Sequence, residues 1–177
     1  LDNDNYRHKW VKFSGAHSIM PGMIHIGPDL DGVPLVVGRA HHHGDMIPAK
    51  VKPEHGVAYV SHNCTEHIKR DFEILLPAEF KWVHSGHGHV PPYAVEGGRT
   101  IEGEPLYIGR VFENGVPCLG KIHRSHGCLY VPYDGSGHVA VAALYSHDWY
   151  VAVPPSTPPP SPPSIFLSKY EDFRDRL

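Results

Sequence analysis

Histidine and cysteine are the residue types here whose chemistry stands out first. Sixteen histidines occur among 177 residues, including the run His41-His42-His43 and the cluster His84, His87 and His89 in HSGHGH. Imidazole nitrogens bind zinc and copper. In a strand only alternate residues share a face, so His41 and His43 form the candidate metal pair while His42 points away. Histidines also titrate near neutrality, which could couple an assembly to pH. The three cysteines, Cys64, Cys118 and Cys128, form no CxxC and cannot all pair. They read as reduced, half-buried thiols in a reducing compartment, which favours a cytoplasmic location over secretion. Asn63-Cys64-Thr65 fits the N-glycosylation pattern and would matter only on a secretory route. Cys64 and His67 hold the elements of a thiol–imidazole pair, although a buried, inert thiol is the commoner case. GxSxG, HExxH and the P-loop are absent, and no paired-carboxylate pattern recurs, so no catalysis and no cofactor are expected.

The elements that must position these side chains come in duplicate. PLVVGRAHHHGDMIPAKVKPEHGVAYV, from Pro34 to Val60, aligns without a gap with PLYIGRVFENGVPCLGKIHRSHGCLYV, from Pro105 to Val131. Pro34 matches Pro105, Gly38-Arg39 matches Gly109-Arg110, Lys50 matches Lys121, and His55-Gly56 matches His126-Gly127, each shifted by 71 positions. A fixed internal period marks two copies of one structural unit. Phe112-Glu113-Asn114 stands where the first copy has its triple histidine, so the metal pair is not repeated. Trp10-Val11 matches Trp82-Val83, Met23 to Gly27 matches Ala94 to Gly98, Asp29 falls on Thr100, and His67 falls on His138. The segment Asp71 to Leu75 finds only a loose counterpart in Val141 to Tyr145.

Eighteen glycines and eighteen prolines, with no sustained helical period, predict short strands and many turns. Strands are expected over Val33 to Ala40, Met46 to Lys52, Val57 to Ser61 and Asp71 to Leu76, with Asn63 to Lys69 as a polar loop. The order then repeats through Leu106 to Phe112, Leu119 to Ile122, Cys128 to Tyr133 and Val139 to Tyr145. Trp149 to Val153 extends the last strand or pairs elsewhere. Pro48 puts its strand at an edge or bulge. The fold class is therefore all-β: two tandem, pseudo-symmetric antiparallel sheet repeats packed together, over residues 1–78 and 79–153. Residues 154–177 make a Pro-rich spacer, PPSTPPPSPPS, and an apolar-and-charged tail. A formal net charge of -3 argues against nucleic acid, and no apolar run is long enough to span a bilayer.

These features resemble the DM-nine tandem-repeat family. The carriers are Trp10 and Trp82, VPLVVGRA from Val33 to Ala40, GGRTIEGEPLYIGR from Gly97 to Arg110, Pro48-Ala49-Lys50, and the HG-x-x-YV runs at His55 and His126. They cover roughly Trp10 to Tyr145. The resemblance implies an all-β lectin for mannose-type glycans, acting in innate immunity and assembling as a homodimer. In such lectins an aspartate in the turn before the GR strand and a lysine after it hold the sugar. Here those positions are Asp29 and Lys50. In the second copy they are Lys121 and Thr100, with Glu102 nearby, which implies a weaker second site. Alternatives are an interaction scaffold that has lost the sugar site, or a histidine-dependent metal binder.

The chemistry of such a pair is straightforward. An ionised carboxylate only accepts hydrogen bonds and can take two hydroxyl protons; an ammonium donates to the hydroxyl oxygens. Charged partners make the stronger bonds. Trp10, Tyr93 and Tyr107 are candidate rings for the C–H face of a sugar. The competing reading is a surface ion pair of little energetic worth. For the two Gly-Arg steps the structural reading is the stronger one: glycine for close approach, arginine for carbonyls or a carboxylate.

Overall fold

The computed structural model describes residues 9–13, 22–76, 80–87, 89–133, 141–145 and 149–153, with the side chains of 133 and 141–145 excepted. The Pro-rich spacer, the C-terminal tail, the first eight residues and His138 lie outside the described residues.

Fourteen antiparallel strands make up the described part. The first copy contributes β1 (Lys9–Lys12), β2 (His25–Pro28), β3 (Pro34–His42), β4 (Asp45–Lys52), β5 (Val57–His62), β6 (Thr65–Lys69) and β7 (Glu73–Leu76). The second contributes β8 (Lys81–Ser85), β9 (Glu96–Arg99), β10 (Pro105–Glu113), β11 (Val116–His123), β12 (Cys128–Tyr133), β13 (Val141–Tyr145) and β14 (Trp149–Val153). The strand order is β1-β7-β3-β4-β5-β6-β13-β12-β11-β10-β14-β8, with β2 on β3 and β9 on β10. Read from either end, this path runs through equivalent strands in the same sequence. That is the pseudo-twofold relation expected of two packed copies.

Two-residue turns set the hairpins. His43-Gly44 joins β3 to β4, and Asn63-Cys64 joins β5 to β6, with φ of 48° and 56° at the latter pair. Left-handed φ at both central residues is the turn whose twist matches paired strands. Residues 63–69, read from sequence as a loop, are therefore a turn followed by strand β6. Polar composition hid it, because β6 is only half covered. A second correction concerns the end of each copy. The counterpart of β7 is β14, not β13: β7 pairs with β3 and β1, and β14 pairs with β10 and β8. In the register of the sheet, His62 faces Thr65 while Tyr133 faces Val141, so His67 corresponds to Ala143 rather than to His138. A longer β12–β13 connection displaces the alignment there.

The copies interlock. β4 pairs with β5 only from Lys50 to Lys52, and its other end pairs with β9 of the second copy, Met46 opposite Arg99. Pro48, which has no N–H to give, stands where β4 passes from one partner to the other, a local edge within a central strand. A shared core joins Ile26, Leu35, Val37 and Leu75 of the first copy to Val95, Ile108, Leu119 and Ala152 of the second. Two further cores are mostly local: one around Ile47, Val51 and Val60 of the first copy, which Leu106 of the second enters, and one around Ile122, Val131 and Trp149 of the second. Neither sheet covers its inner face alone, and burying that face against the other copy supplies the driving force.

Candidate functional site

Alternation along β4 puts Ile47, Ala49 and Val51 into the first copy's own core, and Lys50 and Lys52 on the opposite face, towards the second copy. Lys50 lies opposite Val37 and Tyr59, with its ammonium 5.4 Å from the Tyr59 ring centroid. Lys121 lies opposite Ile108 and Tyr130, with its ammonium 5.6 Å from the Tyr130 centroid. Both lysines are buried, Lys50 at 9% and Lys121 at 6% exposure. Among the described residues neither ammonium forms an ion pair. Such a buried cation is costly unless something compensates it, and a tyrosine face offers only part of that compensation.

Asp29 opens the β2–β3 turn. Its Oδ1 accepts the Leu30 amide at 2.8 Å, and its Oδ2 accepts from Lys52 Nζ at 2.8 Å. The same ammonium donates to Asp31 Oδ2 at 2.6 Å. Thus the direct partner of Asp29 is Lys52, not Lys50. Lys50 stands two residues along on the same face and acts on Asp29 through its charge. Burial raises the Asp29 carboxyl, but the Lys52 bond, the Leu30 amide and the charges of Lys52 and Lys50 outweigh it, holding the group below its usual value. A carboxylate with about four lone-pair sites and two in use keeps room for ligand hydroxyls. Burial pulls the Lys52 ammonium down, and its bonds to Asp29 and Asp31 more than restore it.

The second copy reaches a related arrangement by another route. Thr100 Oγ1 accepts the Glu104 amide and Glu102 is exposed in the turn. Neither brings a carboxylate to Lys121. The carboxylate whose charge reaches Lys121 is that of Asp45, from the first copy's β3–β4 hairpin. Its Oδ1 accepts the Ile101 amide at 2.8 Å, the task that Asp29 performs on its own turn. Burial lowers the Lys121 ammonium below its ordinary value, and the Asp45 charge opposes that shift. Asp45 aligns with Val116, so the 71-residue period carries no sign of it. Only the pairing of β4 with β9 brings it across. His123, at the position of Lys52, bonds Glu104 through Nε2 at 3.1 Å, and Glu104 also accepts from Ser125.

Of the rings expected to face a ligand, Trp10 carries the Arg39 guanidinium at 4.3 Å and Tyr107 packs against the second core. Tyr93 is 78% exposed. The rings beside the lysines are instead Tyr59 and Tyr130, which cross-strand pairing would have identified had β5 and β12 been set in register. Arg39 pairs with Glu73 of its own copy, and Arg110 stacks over Trp82, Phe112 and Tyr150. A cleft of about 470 Å³ lies elsewhere, lined among others by Lys12, Arg39, His41 and Asp71, and includes neither Asp29 nor the two lysines.

The histidines gather differently from the expected pair. His41 is exposed, whereas His42, His62 and His67 come together, one nitrogen of each within 4.8 Å of the others. His43 joins them edge-on to His42 at 4.3 Å between centroids. Burial and the nearby charges of His67, Lys69, His43 and His62 lower His42 to about 4. Cys64 is exposed, Cys118 and Cys128 are buried, and none of the three is paired. Among the described residues no helix is long and apolar enough to cross a membrane.

Comparison with known proteins adds a family. The crystal structure of the nematode sperm cell motility protein MFP2B is similar to this fold, with a TM-score of 0.55 at 10% identity. The match covers 86% of this chain and 47% of that one, so the chain spans about half the length of that neighbour. At this identity the likeness concerns the fold alone. No curated protein matches the sequence. Residues 29–140, well over half of the chain and most of both copies, match the DM9 repeat, and the chain therefore belongs to the DM9 repeat family.

Proposed function

We propose that the protein is a non-catalytic lectin for mannose-type glycans, with Asp29 and Lys50 at one site and Lys121 at a second, weaker one. The observation that carries this reading is the duplicated, buried lysine on a tyrosine face, without an ion pair among the described residues and with an aspartate within electrostatic reach. A fully paired lysine would have nothing left to offer. Each lysine, with no ion pair among the described residues and an aspartate within reach of its charge, offers a donor near an acceptor, and vicinal hydroxyls of a hexose need both. Tyr59 and Tyr130 supply the apolar faces. For the second site, Asp45 takes the acceptor's part, in place of Thr100 or Glu102. Lys52 orients Asp29 rather than competing for Lys50.

Single sugar sites are weak, and two sites per chain gain from presentation on a homodimer, the assembly we propose for recognition of microbial glycans. Three unpaired thiols favour the cytoplasm as the place of action. Calorimetric titration of mannose into the full chain, repeated with Asp29→Ala and Lys50→Ala, tests the reading. Heat from the parent that both variants greatly diminish, with circular dichroism unchanged, supports it. A flat trace from the folded parent sinks it and leaves an interaction scaffold.

A further inference from the structure

We infer that His42, His62 and His67 form a binding site for a divalent transition-metal ion of the zinc or copper class, on the first copy only. Three strands bring these side chains to one face. Val36, Ala40 and His42 alternate along β3; Ala58, Val60 and His62 alternate along β5; and His67 on β6 is the cross-strand partner of Val60. The apolar members of these rows fill the first copy's core. The imidazoles stand at its end, where the rows run out together.

One nitrogen from each ring lies within 4.8 Å of one from each of the others, a spread that small rotamer changes close around one ion. Ring centroids of His42 and His67 are 4.0 Å apart, and those of His42 and His62 are 4.9 Å apart. His67 Nε2 donates to the His62 carbonyl at 3.2 Å, which leaves its Nδ1 with a free lone pair. His42 Nε2 is buried without a hydrogen-bond partner among the described residues. An orphaned buried nitrogen is costly, and a ligand that used it would recover that cost. His42 Nδ1 accepts from Lys69 Nζ at 3.3 Å, so Nε2 carries the ring proton; to ligate through Nε2 the ring must give up Lys69 and move its proton to Nδ1. The Asp45 carboxylate stands 3.9 Å from His62 Nε2, beyond hydrogen-bond reach but near enough for its charge to favour a cation at the cluster.

Donor type sets the class of ion. Three imidazoles with a carboxylate or water in reach suit zinc, copper or nickel, and suit calcium or magnesium poorly. Two cations oppose binding: Lys69 against His42 and Lys121, whose charge acts on His62. An incoming ion must repel Lys69 from His42. The second copy cannot build the same site, since Glu113, Tyr133 and Ala143 occupy the equivalent positions. Asp45 and Lys121 border both this site and the second sugar site, but metal uptake needs no sugar, and mannose is absent from its test.

The test is a Zn²⁺ titration of the full chain against a competing chelator, with Co²⁺ absorption as a second readout. One equivalent should bind, with the Co²⁺ bands of a four-coordinate site of three nitrogens and one oxygen. His62→Asn and His67→Gln should each weaken binding by at least about 100-fold, the upper end of what losing a mere supporting partner costs. His41→Asn and His123→Asn should leave it unchanged, and Lys69→Ala should tighten it. Thermal melts with and without Zn²⁺ show whether each variant is folded. Lack of stoichiometric uptake by the parent overturns the proposal. So does equal loss in His41→Asn and His67→Gln, or weaker binding in Lys69→Ala.

Discussion

The two copies solve one problem in two ways. Each has a turn before its Gly-Arg strand whose first amide needs an acceptor, and each has a buried lysine that needs a counter-charge nearby. The first copy meets both needs from within: Asp29 caps Leu30 and sits under the charge of Lys50, and Lys52 holds Asp29 in place. The second copy borrows. Thr100 has no carboxylate, and Asp45 arrives from the other copy to cap Ile101 and to face Lys121. A duplicated unit can thus lose a charged residue without losing the charge, provided the copies interlock. Both sites lie against the other copy, but only the second takes its carboxylate from across the interface.

The largest effect should come from breaking that interface. A Cβ at Gly98 would lie 2.0 Å from the Met46 carbonyl oxygen, whereas one at the equivalent Gly27 would meet a Pro117 ring carbon at 2.8 Å. Backbone cannot yield where β9 pairs with β4. Gly98→Ala should cost more than about 3 kcal/mol in urea denaturation, in the range of severe overpacking. Gly27→Ala should cost less, because a proline ring can shift further than a paired strand, although the positive φ of 130° adds strain. A cost for Gly98→Ala no greater than that for Gly27→Ala would mean that β9 does not pair with β4 as described.

Next comes the borrowed carboxylate. Asp45→Ala leaves the Ile101 amide without its acceptor and should cost about 1–3 kcal/mol, the usual penalty for orphaning a charge-assisted bond. Placing the carboxylate back at the position it has in the first copy, as Thr100→Asp in the Asp45→Ala background, should recover part of that loss. If the double variant is less stable than Asp45→Ala, the two positions are not interchangeable.

Acid titration gives a smaller effect. The Asp29 carboxyl is held below its ordinary value of 3.8, so its contribution is complete above that value and disappears as pH falls through the lower folded-state value. Lys52→Met should flatten the acid limb of the stability curve, since two carboxylates then lose a shared partner. His123→Ala, the corresponding change in the second copy, should leave the acid limb of Asp29 intact. An unchanged acid limb in Lys52→Met would show that the trio contributes nothing.

Much of the architecture was readable from the 71-residue period, because a gapless alignment over β3 to β5 preserves register, turns and faces. The Lys50–Lys121 correspondence came from the same source. The readable part ended where the copies differ in length. The connection after β12 shifts β13 and β14, so β7 was matched to the wrong partner and His67 to His138. β6 was hidden by its polarity and by a turn, Asn63-Cys64, that lacks glycine. Asp45 was invisible for another reason: a residue acting on the opposite copy has no counterpart at the period, and only the β4–β9 pairing reveals it. The histidines did not pair as alternation alone suggested: His41 is exposed, His42 sits on the row that meets β5 and β6, and His43, in the turn, folds back onto His42.

The central claim concerns Lys50 and Lys121, and the ring signals of Tyr59 and Tyr130 report on each separately. Mannose titrated into the chain under NMR should shift both rings, Tyr59 at the lower concentration, with Lys50→Met abolishing the Tyr59 response and sparing that of Tyr130. Asp45→Ala should do the reverse. Rings that stay unmoved at saturating sugar, or a Tyr59 response that survives Lys50→Met, would contradict the account.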